Sequence, residues 1–360
     1  MLSISPKDQI DHIQSKIQRD DVFCIPDHSN LPGIPNHETS IEYTKTNSTK
    51  LDEIVLSNPN KLFFFFNNPQ FVNGQPNNCI FLPLYFMCQI FQHKQHGRWP
   101  EISLEKKNFT TCTIGGRNRW HRSFLSFWCA LYLKSDKFRY TMMENNDLTE
   151  LVPLIESSAC KVKLDKKKFL HKKYIIDSNL PLRYGAVDEW SYDDPSFFYN
   201  YLMPEITGQS YINFITEAHS LELHGALTEM SIRPFISYNF PLWLGSYKHH
   251  KLFRKLGFDV FGDVLKHNHL STLDRYQSVI QGLEDNKHLF DDIDLCHEHY
   301  IDQQKRLEHN KRLALDIDHF FDVFRKDLKL FIDYYNKSNL NWTQVDLHPD
   351  FLALCDEKMN

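Results

Sequence analysis

Ala226-Leu227-Thr228-Glu229-Met230-Ser231-Ile232-Arg233-Pro234-Phe235, running on to Leu256-Gly257-Phe258-Asp259-Val260-Phe261, reads as helix, strand, loop and helix. Glu229 and Arg233 are four residues apart, so a helix places them on one face, one turn apart. Pro234-Phe235-Ile236-Ser237-Tyr238 opens an apolar, partly β-branched run that Leu242-Trp243-Leu244-Gly245 carries to a turn. This predicts a strand that starts near Pro234. A charged helix face feeding a strand and a glycine turn is how open α/β domains build a cleft for a phosphorylated ligand. An ordinary surface ion pair accounts for the same spacing more simply.

Working upstream, Phe109-Thr110-Thr111-Cys112-Thr113-Ile114 is β-branched and ends at Gly115-Gly116. Phe124, Phe127, Trp128, Leu131 and Leu133 then recur at helical spacing. Strand, glycine pair, basic loop and helix make a phosphate cradle, because a helix N-terminus offers unsatisfied backbone N–H groups. Arg117, Arg119 and Arg122 can add charge-assisted bonds to them. The alternative is a basic loop lying over a helix start. Further on, Tyr211-Ile212-Asn213-Phe214-Ile215-Thr216-Glu217 reads as a strand with an acid at its end.

Taken together, Thr228, Glu229, Arg233, Pro234, Phe235, Gly245, Leu252, Leu256, Gly257, Phe258 and Phe261 resemble the signature of a largely viral and bacterial family of glycosyltransferase-like proteins. That signature is similar to the T-E-K-x-x-R donor motif of alpha-1,3-fucosyltransferases. The Tyr211–Glu217 strand and Gly115-Gly116-Arg117-Asn118-Arg119-Trp120-His121-Arg122 resemble two further motifs of the family, so the likeness spans roughly residues 108–282. The resemblance implies a two-domain GT-B architecture, with two Rossmann-like α/β units and the donor nucleotide bound mainly by the second. It implies a donor site of Arg117, Arg119, Arg122, Glu217, Thr228, Glu229 and Arg233, in which the arginines neutralise the diphosphate. Glu229, with Glu217 second, would accept from the ribose. Such a site needs no metal and no cofactor beyond the nucleotide-sugar itself. One position departs from the pattern: Met230 stands where the family has a lysine. Either the arginines carry the phosphates alone, or donor binding is weakened or lost.

The expected activity is metal-independent transfer of a sugar from a nucleotide-sugar to a glycan or other hydroxyl acceptor. The alternative is a non-catalytic binding or assembly protein of the same fold, associated with a virion or a surface polysaccharide. An inverting transferase also needs a base for the acceptor hydroxyl. Asp27 and His28 are conceivable, but no motif supports them.

Composition bounds these readings. The 360 residues are enough for two cores. With 41 basic and 46 acidic residues the net charge is −5, which argues against a protein built to grip nucleic acid. The first residues lack a basic stretch followed by an apolar core, and no apolar run is long enough to span a bilayer, so the expected location is the cytoplasm. Eight cysteines without a Cys-x-x-Cys pair read as reduced core thiols. The basic segment 161–173 and the turn Tyr192-Asp193-Asp194-Pro195 read as a lysine-protected edge and a helix cap.

The expected organisation is an N-terminal α/β domain over 1–107, a donor-nucleotide domain over 108–285 and a helical extension over 286–360. Within the first, Val22–Pro26 reads as a short strand and Lys61–Asn68, an apolar run that ends in turn residues, as a buried strand, while Cys79–Gln92 fits helix or strand. Within the last, Asp316-Ile317-Asp318 and Cys296-His297-Glu298-His299 are read as helix surface rather than metal ligands, because their paired side chains point apart.

Overall fold

The computed structural model describes residues 11, 14, 18, 22–25, 53–66, 77–96, 101–114, 125, 129, 133, 137–141, 204–215, 227, 229–243, 249–267, 281–337 and 349–359. Its main elements, in chain order, begin with strands β1 (Val22–Ile25), β2 (Leu62–Phe65) and β3 (Cys79–Phe81) and helix α1 (Leu84–His96). Then come β4 (Phe109–Ile114), β5 (Phe138–Thr141), α2 (Pro204–Thr207), β6 (Ser210–Ile215), α3 (Glu229–Ile236), β7 (Phe240–Trp243) and α4 (His249–Lys255). The chain closes with α5 (Lys287–Asp291), α6 (Ile293–Asp302), α7 (Gln304–Ala314), α8 (Ile317–Val323), α9 (Arg325–Lys337) and α10 (Pro349–Met359). This is an α/β protein with parallel sheets.

The chain forms two compact units. The first joins Met1–Lys94, Leu221–Glu229 and Leu315–Asn360; the second joins Gln95–Ser220 and Met230–Ala314. The C-terminal helices divide between the units at Leu315. Two breaks in the long helical pattern have a local cause. Asp292 caps α6 by accepting from the N–H groups of Asp294 and Leu295, both at 3.0 Å. Asp316 caps α8 by accepting from His319 N–H at 3.2 Å.

In the first unit, β1, β2 and β3 pair in parallel in that order. Phe63, Phe64 and Phe65 are all buried, as expected of a parallel strand covered on both faces. Pro83 resolves the ambiguous stretch after Cys79. The strand ends before it, and its carbonyl accepts the first helical bond, from Met87 N–H at 2.9 Å. The returning helices complete this core: Phe331 lies edge-on to Phe64 and Phe66, Phe320 to Phe86, and Phe351 tilts against Phe91. Each such ring pair contributes about 0.5–1.5 kcal/mol beyond the area it buries.

The second unit carries a four-stranded parallel sheet in the order β5-β4-β6-β7. All six residues of β6 are buried. Phe214 packs against Phe290 of α5 on one face. Trp243, which alternation directs to the other face, packs against Phe235 of α3 and Phe253 of α4. The sheet is thus covered on both sides.

One expectation about the decisive stretch is corrected. Pro234–Tyr238 does not begin a strand: helix α3 runs through Pro234 to Ile236, and the strand is Phe240–Trp243. A Schellman turn ends the helix. Tyr238 takes φ 54°, its N–H donates to Phe235 O at 3.4 Å, and Asn239 N–H donates to Pro234 O at 2.8 Å. The apolar run was real, but burial of Phe235 and Ile236 serves a helix face.

Candidate functional site

The strand order decides where a ligand belongs. From β4 the chain goes to β5 on one side, then returns to β6 on the other side and continues outward to β7. The order reverses between β4 and β6. In open parallel sheets the crevice lies outside the carboxyl ends of the strands at such a reversal. Those ends are Ile114 and Ile215. In sequence they lead directly into Gly115–Arg122 and Thr216–Glu217, the two segments that carry most of the candidate donor residues.

Arg117, Arg119, Arg122, Glu217 and Thr228 lie outside the described residues, as do Asp27, His28, the lysine-rich segment 161–173 and the turn at 192–195. Glu229 forms the first residue of α3. Arg233, one turn further on, is only 3% exposed, so it is not half of an ordinary surface pair. It sits in the last turn of α3, where a cation complements the helix dipole.

Burial pushes the Cys112 thiol on β4 up to about 12, against the opposing pull of a hydrogen bond with Ser210 and of the Lys107 and Arg233 charges. Beside Cys112 in the sheet register stands Asn213, with Pro241 on its other side. Asn213 is 2% exposed, and its Nδ2 has no hydrogen-bond partner.

The opposite edge of the sheet is different. Lys107, two residues before β4, is 6% exposed. Its Nζ donates to Ser210 O at 3.0 Å and Tyr238 O at 3.3 Å, and lies 4.3 Å from the Tyr300 ring centroid. Burial lowers its pKa from 10.5 to about 7. The Lys107 N–H donates to Tyr211 Oη at 2.9 Å, and that hydroxyl is 2.9 Å from His297 Nδ1. Asn239 Nδ2 donates to Thr207 O and Ser210 O. These bonds tie strand starts together, and their chemistry is structural.

The apolar half of the signature is structural too. Phe235 stacks on Phe258 at 4.4 Å between ring centroids and contacts Phe253; Leu256 and Phe261 are buried. Gly257 closes α4 at φ 93°, with Phe258 N–H donating to Phe253 O at 3.0 Å. Helix α7 then grips the segment: Asn310 exchanges bonds with the Asp259 backbone at 2.8 and 2.7 Å, and Arg306 forks onto Asp259 and Asp263.

Sequence reasoning singled out none of Lys107, Asn213, Arg306 or Asn310. Asn213 had a signal: it is the lone amide inside the apolar run Tyr-Ile-Asn-Phe-Ile.

Among the described residues no group of three or more His, Cys, Asp or Glu is placed to hold a metal ion. Asp318 pairs with Lys358 at 2.6 Å, and Cys296 Sγ donates to Leu289 O at 3.1 Å. Cys79, Cys88, Cys112, Cys129, Cys296 and Cys355 are buried and unbridged. No described helix is long and apolar enough to cross a membrane. No family model, curated protein or solved structure matches the chain.

Proposed function

We propose that the chain is a cytoplasmic glycosyltransferase of the two-Rossmann, GT-B kind, moving a sugar from a nucleotide-sugar to a hydroxyl acceptor without a metal. The observation that carries this reading is the reversal of strand order between β4 and β6, directly ahead of Arg117, Arg119, Arg122 and Glu217 in the chain. In the reaction the bond from the sugar's anomeric carbon to the diphosphate breaks and one to the acceptor oxygen forms. The acceptor proton passes to a base. The arginines and the backbone N–H groups after Gly115-Gly116 would hold the charge that develops on the departing diphosphate. Glu229 would accept from the ribose, with Glu217 as the second choice.

A second reading is favoured by the state of the signature's own cations. Met230 replaces one, and Arg233 is taken into the core. In that reading the fold persists as a binding or assembly component without catalysis.

Calorimetry of the full chain against UDP, GDP, CMP, ADP and dTDP, alone and as their sugar conjugates, separates the two. Saturable binding that disappears in Arg117→Ala and Arg122→Ala, with melting temperature unchanged, supports the transferase. Folded protein that binds no nucleotide leaves the non-catalytic reading.

A further inference from the structure

We infer that the exposed face of α4 is a docking surface for an acidic polysaccharide; its occupant rests on the transferase reading and gives the acceptor a chemical class. Lys251, Arg254 and Lys255 are exposed. Arg254 and Lys255 each follow Lys251 by one turn, which sets their Cβ atoms about 5–6 Å from that of Lys251. None of the three has an ion-pair partner among the described residues. The helix, His249-His250-Lys251-Leu252-Phe253-Arg254-Lys255, contains no acid. The next acids in the chain, Asp259 and Asp263, are held by Arg306. Other exposed cations are paired: Lys106 with Asp294, Arg325 with Asp322 and Lys358 with Asp318. Like charges one turn apart destabilise a helix, and an anionic partner would lift that cost.

The place of α4 ties this face to the cleft. Phe253 stacks on Trp243, the last residue of β7, at 5.0 Å between ring centroids. Trp243 stands beside Ile215, the last residue of β6, in the sheet register. The helix therefore lies by the carboxyl ends of the sheet, where segments 115–122 and 216–217 depart.

The chemistry of the face selects its occupant. A lipid surface wants an apolar group to insert, but α4 turns Phe253 into the core at 0% exposure, and no exposed large apolar side chain lies on it. A nucleic-acid backbone wants many phosphate contacts, and bases want rings to stack on; three cations, a buried phenyl ring and a net charge of −5 supply neither. An acidic glycan asks only for a few point charges at turn spacing, which lysines on flexible stems provide. A glycan is also an acceptor that the transferase reading expects.

The test is calorimetry of the full chain at low and high salt. The titrants are polygalacturonate (carboxylated), heparin (sulfated), neutral dextran, a DNA duplex and vesicles of phosphatidylserine with phosphatidylcholine, with the five nucleotides named above in parallel. At least one acidic glycan should bind, dextran should not, and salt should weaken the binding by screening exposed charges. The triple variant Lys251→Gln, Arg254→Gln, Lys255→Gln should lose about tenfold or more in glycan affinity, with nucleotide binding and melting temperature unchanged. Replacing Lys326 and Lys329, two exposed lysines of α9, by Gln should leave glycan affinity as it is. If the triple variant does not fold, Lys251→Glu carries the comparison. Wild type that binds nucleotides but neither acidic glycan, or a folded triple variant that binds glycan as tightly as wild type, overturns the surface and leaves the transferase reading intact. Tighter binding to DNA or vesicles through the same three residues overturns the glycan as occupant. Glycan binding that depends on these residues without any nucleotide binding supports the surface and overturns the transferase reading.

Discussion

The two ends of the four-stranded sheet differ in how many buried polar groups they tie together. At the amino edge Lys107 holds the carbonyls of Ser210 and Tyr238, Tyr211 joins the Lys107 N–H to His297, and Asn239 bridges Thr207 and Ser210. In the carboxyl half, Asn213 keeps an unsatisfied Nδ2 beside Cys112 in the sheet register. Polar groups whose hydrogen bonds close on the fold stabilise it. The same division between a stability end and a chemistry end holds for parallel barrels. Substitutions at the amino edge should therefore cost stability, and substitutions after the carboxyl ends should cost binding.

The largest effect is expected at Lys107. Lys107→Ala takes the Lys107 donor from the Tyr238 carbonyl, leaves the Ser210 carbonyl with Asn239 alone and removes the packed lysine stem, and should lower stability by ~2–4 kcal/mol, with nucleotide affinity unchanged in the folded fraction. Denaturant melts combined with calorimetry check both halves; normal stability would break the comparison at its firmer end. Lys107 also gives that end a pH signature. Its folded pKa is about 7 against 10.5 unperturbed, so between those values the unfolded chain holds a proton that the folded chain has released. Its contribution makes stability rise with pH through that window and go flat below about 7. Lys107→Met should abolish that component, as melts at pH 6, 8 and 10 would reveal.

Next come the arginines beyond β4. Arg117→Ala and Arg122→Ala should each weaken diphosphate binding by about ten- to a hundredfold, the value of a charge-assisted bond, without moving the melting temperature. A stability loss in place of an affinity loss would mean that this end, too, is built for the fold. The smallest effect belongs to a position at neither end. Gly257→Ala forces a side chain into φ 93° and should cost ~1 kcal/mol in melts while leaving binding alone.

The sequence showed elements better than roles. Leu62–Phe65, Phe109–Ile114 and Ser210–Ile215 are strands close to where composition placed them, because buried parallel strands must be apolar throughout. The run after Arg233 misled, since helix cores and strand cores share the same residues and only the turn at Tyr238 separates them. The site was legible as far as local order reaches: a glycine pair, a run of arginines, an acid at a strand end. Lys107 and Asn213 were not, because a buried lysine or amide acquires meaning only from atoms about a hundred residues away, such as Ser210 and Tyr211 for Lys107. The allotment of the final helices was equally hidden, for nothing in their amphipathic pattern names the core they join.

That allotment sets a timetable for synthesis. Phe64, Phe66 and Phe86 are met by the rings of Phe320 and Phe331, which leave the ribosome after the whole second unit has been made. At roughly 5–20 residues per second, the first-made core waits on the order of tens of seconds for its cover. The usual order of maturation is thereby inverted: the unit begun first finishes last. During that interval a cluster of phenylalanines is open to chaperones and to neighbouring nascent chains.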